Sequence, residues 1–315
     1  MLERTTKVYL DTIPFEACGR ALALGLFDGI HDGHAPIIKK TVKAAKQNGL
    51  ISTVMTFSGS IKGEKKYITT LEERLDILTS FGVDEMLVLD FDSIKDKDHK
   101  AFCEEILRNK LNAKALFAGD DFRYGRAAEG TAEDLKLFGQ DNGIAVKIFK
   151  TMMLHGTDRR ISSSWIREAL AEGDVGLVTD LQGGRPFSYS GIVMHGKMLG
   201  RTLGFPTANL IVPEEKITVR RGVYASRVLL GRNVLPGVTN VGMRPTVDDS
   251  DADTVETYIF DFDEDIYGAR IKVELLSFIR PEMKFGTMEE LASTVADDKI
   301  KAKTYHAKSG IMSEV

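Results

Sequence analysis

The sequence predicts two domains of different fold class, an α/β domain with a doubly wound parallel sheet and a small antiparallel β-barrel with a C-terminal helix. From residue 20 to about residue 172, short apolar runs alternate with longer amphipathic segments, which is typical of repeated βα units. Beyond residue 187, β-rich runs are separated only by turns, which is typical of a small barrel. Residues 173–186, with four glycines and one proline, separate the two patterns. We therefore assign residues 1–182 to the first domain and residues 183–315 to the second.

The elements of the first domain follow from apolar runs and helical spacing. Strands are predicted at Ala21–Phe27, Ile51–Phe57, Glu85–Leu89, Ala115–Ala118 and Ala145–Phe149. Helices are predicted at His34–Gln47, Thr70–Phe81, His99–Lys110, Thr131–Gly139 and Ser163–Glu172. Thr70, followed three residues later by Glu73, resembles a capping box and supports the start of the second helix. Ligands of such sheets bind beyond the carboxyl ends of the strands, so the turns after strands are the candidate sites.

The second domain is predicted to contain five strands and one long helix. The strands are Phe187–Met194, Gly222–Leu230, Asn233–Val241, Thr254–Phe260 and Arg270–Ile279. The helix, Thr287–His306, follows them. Its apolar residues predict that it packs on the barrel through Met288, Leu291, Val295 and Ile300.

Composition narrows the class of protein. The formal net charge of −4 gives no electrostatic reason to expect a nucleic acid or a membrane as partner. The two cysteines, Cys18 and Cys103, fit a reducing compartment and exclude a disulfide framework. Residues 1–11 lack the apolar region of a secretory signal, and no window approaches the ~18 apolar residues of a membrane span. We predict a cytoplasmic protein.

The stretch Gly25-Leu-Phe-Asp-Gly-Ile-His-Asp-Gly-His34 follows the first predicted strand and opens a helix. A glycine-rich turn at a helix start presents backbone N–H groups and the positive end of the helix dipole to an anion. His31 and His34, at i and i+3, are neighbours there. The turn therefore predicts a nucleotide phosphate site, with Gly25, Phe27, Asp28 and Gly29 as further binding residues.

Two later turns occupy equivalent strand ends. Residues 118–126 combine carboxylates, including Asp121, with arginine and glycine, and residues 161–167 place three serines before Arg167. Hydroxyls at a helix start, among them Ser164, can cap the helix or hold phosphate, and Arg167 can neutralise a polyphosphate. Each feature alone is also explained by helix caps, turn residues, surface ion pairs or solvated imidazoles. Their convergence at successive strand ends favours a nucleotide site.

The barrel contains a second glycine-rich stretch, Gly196-Lys-Met-Leu-Gly-Arg-Thr-Leu-Gly-Phe-Pro-Thr-Ala-Asn209. Glycines four residues apart permit close backbone approach to phosphates. The Thr207 hydroxyl and the Asn209 amide oxygen are suitable hard ligands for Mg²⁺. Composition alone leaves open a plain glycine-rich hairpin. The residues predicted to bind the nucleotide here are Gly196, Gly200, Arg201, Gly204, Pro206, Thr207 and Asn209.

Four of these stretches resemble one enzyme family. Residues 25–34 match the HxGH nucleotidyltransferase signature in the form used by prokaryotic bifunctional riboflavin kinase/FAD synthetases, and residues 119–125 and 161–167 resemble the next two motifs of that family. Residues 200–209 match its riboflavin kinase signature. The resemblance implies that the first domain transfers an adenylyl group from ATP to FMN, releasing pyrophosphate. It implies that the second domain phosphorylates riboflavin with ATP and Mg²⁺ to give FMN.

The resemblance also implies roles for individual residues of the first domain. His31 and His34 would contact ATP phosphates and stabilise charge at the attacked phosphorus. Ser164 and Arg167 would hold the leaving phosphates, and Asp121 would lie near the flavin or the adenosine.

In the second domain, the resemblance implies that Thr207 and Asn209 bind Mg²⁺ and ATP phosphate. Glu256 would be the general base that takes the proton of the ribityl 5′-hydroxyl. The alternative for Glu256 is a solvated strand residue. Its alternation partners Tyr258 and Phe260 are aromatic, which favours a covered face.

One stretch departs from the family pattern. Where the family carries Phe-x-Pro-His-Pro after the second strand, this chain has Phe57-Ser-Gly-Ser-Ile61. A positioned imidazole and two rigid prolines are therefore replaced. Two alternatives follow, a monofunctional riboflavin kinase with a degenerate first domain and a flavin- or nucleotide-binding regulator without turnover. The set of Thr207, Asn209 and Glu256 argues against the regulator, because binding alone needs no base.

Overall fold

The computed structural model describes residues 6–10, 18–59, 66–195, 206–244 and 252–310. The chain forms two compact units, one ending at Ser163 and the other beginning at Ser164. The helix that starts here groups with the barrel because the backbone N–H of Arg220 donates to the carbonyl of Leu170 at 2.8 Å. Within the described residues, no helix has both the length and the apolar composition that crossing a membrane requires.

The first unit is a six-stranded, fully parallel sheet with helices. Its strands are β1 (Lys7–Leu10), β2 (Arg20–Leu24), β3 (Ile51–Ser58), β4 (Glu85–Asp90), β5 (Ala113–Gly119) and β6 (Ala145–Phe149), in the order β1-β4-β3-β2-β5-β6. Its helices are α1 (Ala35–Asn48), α2 (Leu71–Ser80), α3 (Phe91–Ile94), α4 (His99–Ala101), which continues as a π-helix over Phe102–Lys110, and α5 (Ala132–Asn142). The predicted parallel sheet is confirmed. The edge strand β1 is short and mostly exposed, and its three consecutive apolar residues, Val8–Leu10, were too few to predict a strand.

The central strand β2 is buried on both faces. Ala21 and Ala23 pack into one apolar cluster, while Leu22 and Leu24 pack into the cluster on the opposite face. This explains the absence of polar alternation in the sequence. The strand ends at Leu24 rather than at Phe27, because Phe27 adopts φ 52° and turns its ring, which is 0% exposed, back into the core.

The order of the strands in the parallel sheet indicates where a ligand-binding crevice is expected. Going out from β2, β3 and β4 lie on one side and β5 and β6 on the other, so the direction of winding reverses at β2. In doubly wound sheets this switch point opens a crevice at the carboxyl ends of the strands. The turns after β2 and β5, residues 25–34 and 120–131, flank that crevice.

The second unit is a nearly closed antiparallel barrel with helices. Its elements are α6 (Ser163–Glu172), α7 (Val175–Leu181), β7 (Ser188–Ile192), β8 (Ala208–Ile211), β9 (Gly222–Leu230), β10 (Asn233–Arg244), β11 (Ala252–Ile259), β12 (Arg270–Pro281) and α8 (Met288–Lys308). The strand order is β7-β12-β9-β10-β11-β8. The backbone N–H of Met194 donates to the Asn209 carbonyl at 2.9 Å and brings the two edges together. The expected barrel and C-terminal helix are confirmed, and α7 lies in the segment that was expected to end the helical pattern.

The face of α8 that packs on the barrel is the expected one in part, because Leu291 and Val295 are half-buried and lie seven and three residues before the buried Asp298. Met288 and Ile300 are 47% and 63% exposed, so the prediction that they pack on the barrel is wrong. The helix instead buries Asp298, Ala302 and His306, spaced by four residues. Asp298 and His306 are polar, which explains why apolar spacing did not include them in this face.

Each buried residue of α8 has a defined partner. Asp298 pairs with Arg280 of β12, with 2.7 Å between Nη2 and Oδ2. Ala302 packs in an apolar cluster with Val223 and Ala225 of β9. His306 donates from Nε2 to the carbonyl of Gly237 at 2.9 Å, since a carbonyl oxygen can only accept. These contacts hold the helix on the outer face of the barrel, together with a hydrogen bond from the Tyr305 hydroxyl to the Leu276 carbonyl at 3.4 Å.

His306 should make the stability of the barrel unit depend on pH. Burial lowers the pKa of His306 from its usual 6.5, although its hydrogen bond to Gly237 opposes this. Below about pH 6.5, the unfolded chain binds a proton that the folded chain excludes, so the free energy of unfolding should decrease as the pH falls. Urea unfolding between about pH 5.5 and 7.5 measures this slope.

The control is His306→Gln, which keeps a side-chain N–H donor and removes the titration. Its unfolding free energy should change less over the same range than that of the unaltered chain. Equal slopes would exclude His306 as the source.

Candidate active sites

The turn after β2 has a constrained backbone. Phe27 and Ile30 adopt φ values of 52° and 37°, which are uncommon for residues other than glycine, and both side chains are buried. Gly29 has φ 77°, and a Cβ there would lie 3.1 Å from Ile68. The side chains of Phe27 and Ile30 therefore anchor the turn in the core. The part of the turn that a ligand can contact is its backbone.

Asp28 was expected to bind the nucleotide, but its side chain is 1% exposed. Its carboxylate accepts hydrogen bonds from the backbone N–H groups of Ile68, at 2.9 Å, and Thr69, at 3.1 Å. The Thr69 hydroxyl accepts from the backbone N–H of Gly29 at 3.0 Å. Asp28 thus joins the turn after β2 to the segment before α2, and we assign it a positioning role.

Arg74 of α2 lies behind Asp28, and the pattern-based assignment of site residues missed it. Its side chain is 0% exposed, and Nη2 is 3.7 Å from Oδ1 of Asp28. It donates to the Thr56 hydroxyl at 2.7 Å and to the carbonyl of Leu26 at 3.4 Å. Burial lowers the pKa of the Arg74 guanidinium, and the charge of Asp28 opposes that shift. The sequence feature that could have identified Arg74 is its position on the apolar face of the helix, where an arginine is unusual.

The structure brings His31 and His34 together at the start of α1. Their rings stack with 3.6 Å between centroids and an angle of 16° between planes. Phe27 supports His34 from the core, with ring centroids 5.0 Å apart. A Cβ on Gly33 would lie 3.1 Å from Nδ1 of His31, so glycine leaves the space for this ring. The first turn of α1 contains no acidic residue, which leaves the positive end of its dipole available to an anion.

The serine-rich stretch meets this turn through a residue that had not been predicted. The hydroxyl of Ser163 donates to the carbonyl of Asp28 at 2.9 Å. The predicted residues Ser164 and Arg167 lie on the first two turns of α6, where Ser164 is exposed and Arg167 is half-buried. They are three residues apart and so share one face of the helix.

The turn after β5 carries Asp121 at the surface. Asp121 pairs with Arg160 at 3.3 Å, and both side chains are at least half exposed. Neighbouring Asp120 accepts a hydrogen bond from the Thr151 hydroxyl at 2.7 Å, which lowers the pKa of the Asp120 carboxyl. Asp121 is therefore the more accessible carboxylate of the two, and its exposed ion pair can be exchanged for a ligand.

The altered stretch after β3 is described up to Gly59, and Ser60 and Ile61 lie outside the described residues. Gly59 has φ 87°, a value that proline cannot adopt because its ring holds φ near −65°. The Tyr67 hydroxyl donates to the Gly59 carbonyl at 2.5 Å. At this position the backbone itself excludes the proline of the family pattern.

The barrel places Thr207, Asn209 and Glu256 together. Asn209 on β8 is directly opposite Glu256 on β11 in the antiparallel pairing. The Asn209 amide donates from Nδ2 to the Thr207 carbonyl at 2.8 Å and to the Thr207 hydroxyl at 3.3 Å. This identifies Oδ1 as the atom that a cation would meet. Gly196, Gly200, Arg201 and Gly204 lie outside the described residues.

Glu256 faces the outside of the barrel. Its neighbours Val255 and Thr257 are 0% exposed and point inward, so Glu256 and Tyr258 point outward. Tyr258 is covered by α8, with Nζ of Lys299 4.0 Å from its ring centroid. Beside Thr207, a cavity of about 230 Å³ is lined by Pro206 and by residues 262–267. The base candidate thus lies on a partly covered outer face.

The residues present fit Mg²⁺ better than a transition metal. Within the described residues, no cluster of three or more His, Cys, Asp or Glu side chains could hold a metal. Hydroxyl and amide oxygens, completed by water and phosphate, are the ligands that Mg²⁺ takes. The fixed Oδ1 of Asn209 next to the Thr207 hydroxyl provides two such ligands.

Comparison with known proteins identifies the family. Residues 14–165 match the family model of FAD synthetase, and residues 183–306 match that of riboflavin kinase. A relative from Bacillus subtilis (strain 168), named bifunctional riboflavin kinase/FMN adenylyltransferase, is 35% identical over 300 residues, covering 92% of this chain and 93% of the relative. The chain belongs to the bifunctional riboflavin kinase/FMN adenylyltransferase family.

Other comparisons agree with this family. A relative of the same name from Escherichia coli (strain K12) is 36% identical over 305 residues, covering 94% of this chain and 95% of the relative. A crystal structure described as a macrolide-efflux protein from Streptococcus pneumoniae has a TM-score of 0.80 and 32% identity, covering 92% of this chain and 95% of that one. The resemblance seen in the sequence motifs is confirmed, and the matches to both family models favour the bifunctional over the monofunctional interpretation.

Replacing Arg74 tests whether its buried charge supports the turn. Arg74→Met removes the guanidinium beside the buried Asp28 carboxylate. The free energy of unfolding of the first unit should therefore decrease by about 3 kcal/mol. Arg108→Met is the matched control, because Arg108 pairs with Glu104 at a surface where both side chains are at least half exposed. It should change stability by less than about 0.5 kcal/mol. Urea unfolding measures both, and similar losses would remove the special role of Arg74.

Proposed function

We propose that this chain phosphorylates riboflavin with ATP to give FMN and transfers an adenylyl group from a second ATP to FMN to give FAD and pyrophosphate. The observation that carries the kinase activity is the register that sets Glu256 directly opposite Asn209, next to Thr207. The adenylyltransferase activity rests on the stacked His31 and His34 at the N-terminus of α1. Both activities use ATP as co-substrate.

In the kinase reaction, Glu256 accepts the proton of the ribityl 5′-hydroxyl while that oxygen attacks the γ-phosphorus of ATP and the bond from this phosphorus to the departing ADP breaks. Thr207 and Asn209 orient the phosphates through the hydroxyl and Oδ1. Bound Mg²⁺ would neutralise phosphate charge at these oxygens. Gly196, Gly200, Arg201, Gly204 and Pro206 would complete the nucleotide site through backbone contacts and one guanidinium.

In the adenylyltransferase reaction, a phosphate oxygen of FMN attacks the α-phosphorus of ATP and pyrophosphate leaves. His31 and His34 stabilise the negative charge that develops there, together with the α1 N-terminus. Ser164 and Arg167 hold the leaving phosphates, and Asp121 lies toward the flavin or the adenosine. The backbone from Gly25 to Gly29 contacts the nucleotide, while Asp28 and Phe27 fix its course from within the core.

The proposal also covers the bounds of the two catalytic domains and the cellular compartment. We place the catalytic domains at residues 1–182 and 183–315, since the riboflavin kinase match begins at residue 183. The two cysteines, an exposed Cys18 and a buried Cys103, support a reducing compartment, the cytoplasm. Burial raises the pKa of the Cys103 thiol to about 11, which makes it unreactive.

Two variants should separate the activities. With riboflavin, ATP and Mg²⁺, Glu256→Gln should lower kcat for FMN formation by about 100-fold or more while the KM for ATP changes little. The same variant should still convert FMN to FAD. His34→Gln should show the reverse, with FAD formation lowered by about 100-fold and FMN formation retained. Chromatographic separation of riboflavin, FMN and FAD measures both products.

These assays decide between the alternatives. Unaltered chain that forms FMN but no FAD is a monofunctional kinase. Unaltered chain that forms neither product is a binding protein. If Glu256→Gln keeps full turnover, another group is the base.

Gly33→Ala tests the geometry of the histidine pair. The added methyl group would press on His31, which is already stacked on His34, and displacement by a few tenths of an ångström should lower FAD formation by about tenfold. Gly176→Ala is the control, because its nearest contact, at 3.5 Å to Asp174, is ordinary. FMN formation should be unchanged in both. Full FAD formation by Gly33→Ala would show that the position of His31 is not critical.

A further inference from the structure

Glu256 has a second polar neighbour on the side away from Asn209. Asn240 of β10 is directly opposite Glu256 in the pairing of β10 with β11. Asn209, Glu256 and Asn240 therefore form a row across three adjacent strands, on the same outer face of the barrel. Side chains that are directly opposite in antiparallel strands lie about 5 Å apart at Cβ. The Asn209 end of this row adjoins Thr207 and the proposed phosphate site, and the Asn240 end lies on the other side of Glu256.

A carboxylate extends the row beyond Asn240. Gly242 lies two residues further along β10 and on the same face, and a Cβ there would lie 2.5 Å from Oε1 of Glu282 and 3.1 Å from Nδ2 of Asn240. The Glu282 carboxylate thus occupies the space that a side chain at 242 would fill, beside the amide of Asn240. Neither side chain makes a hydrogen bond to any residue in the described part of the chain.

We propose that Asn240 and Glu282 bind the secondary hydroxyls of the acceptor alcohol, the polyol chain of riboflavin, and so direct its terminal hydroxyl to Glu256. The inference rests on the proposed kinase function. A secondary alcohol both donates and accepts a hydrogen bond, and the pair offers an amide N–H donor next to a carboxylate acceptor. Hydrogen bonds to a charged partner are the stronger ones, so Glu282 contributes most of the recognition.

The charges along the row give it a direction. A carboxylate repels phosphate, so the Glu282 end suits the neutral polyol and disfavours ATP. The Asn209 end, with its amide oxygen and the Thr207 hydroxyl, suits phosphate with its metal. Glu256 lies between the two ends, which is the place that a base needs in an in-line transfer from ATP to the alcohol.

The test uses two acceptors, riboflavin and an analogue whose N10 side chain is 5-hydroxypentyl, which keeps the terminal hydroxyl and lacks the secondary ones. Glu282→Gln and Gly242→Ala are the variants. The first removes the charge, and the second keeps it but displaces the carboxylate. Each should lower kcat/KM for riboflavin by about tenfold while leaving kcat/KM for the analogue and the KM for ATP unchanged.

Glu289→Gln is the matched control, since Glu289 is an exposed carboxylate in the first turn of α8. It should leave both acceptors unaffected, and FAD formation from FMN should be retained in every variant. Equal losses with riboflavin and the analogue, or no loss for Glu282→Gln, would overturn the assignment of the polyol site. Absence of FMN formation by the unaltered chain is a different result, because it removes the kinase function itself.

Discussion

The buried contact between Arg74 and Asp28 is the constraint on which the first site depends. Both side chains are at most 1% exposed, and the arginine also bonds Thr56 of β3 and the carbonyl of Leu26. Removing either charge would leave the other buried and uncompensated, which costs far more than a surface pair. The network lies beside Phe27 and Ile30, whose φ values are uncommon for residues other than glycine. This backbone course leads into the N-terminus of α1, where the proposed phosphate site lies.

In the barrel, the pairing register of the strands, rather than a buried charge, sets Asn209 opposite Glu256. A shift of one residue between β8 and β11 would turn Asn209 and Glu256 to opposite faces. The inward residues Thr239 and Thr257 share a hydrogen bond at 2.9 Å, and Thr239 bonds Ser226 at 2.6 Å, so polar contacts inside the barrel help to fix the pairing. The interior contacts therefore determine that Glu256 lies on the outer face of the barrel, opposite Asn209.

Local patterns predicted most of the elements but few of the contacts that shape the sites. The histidines and the pair of Thr207 and Asn209 were found because each lies in one short stretch of chain. Ser163 and Arg74 were missed because their partners lie 135 and 48 residues away, and only folding brings them together. The polar residues on the buried face of α8 were missed for a related reason. Apolar spacing cannot identify Asp298 as buried before Arg280 is known to face it.

The altered stretch after β3 is connected to the same network. The Tyr67 ring lies over the Arg74 guanidinium, 5.5 Å from its centroid, and the Tyr67 hydroxyl holds the carbonyl of Gly59. The two described flanks of the altered segment are thus joined at the residue that also holds Asp28. The proposed phosphate contacts of the α1 N-terminus and of His31 and His34 involve no residue of this segment. The described contacts among Tyr67, Arg74 and Asp28 are therefore in place beside a segment that departs from the family pattern.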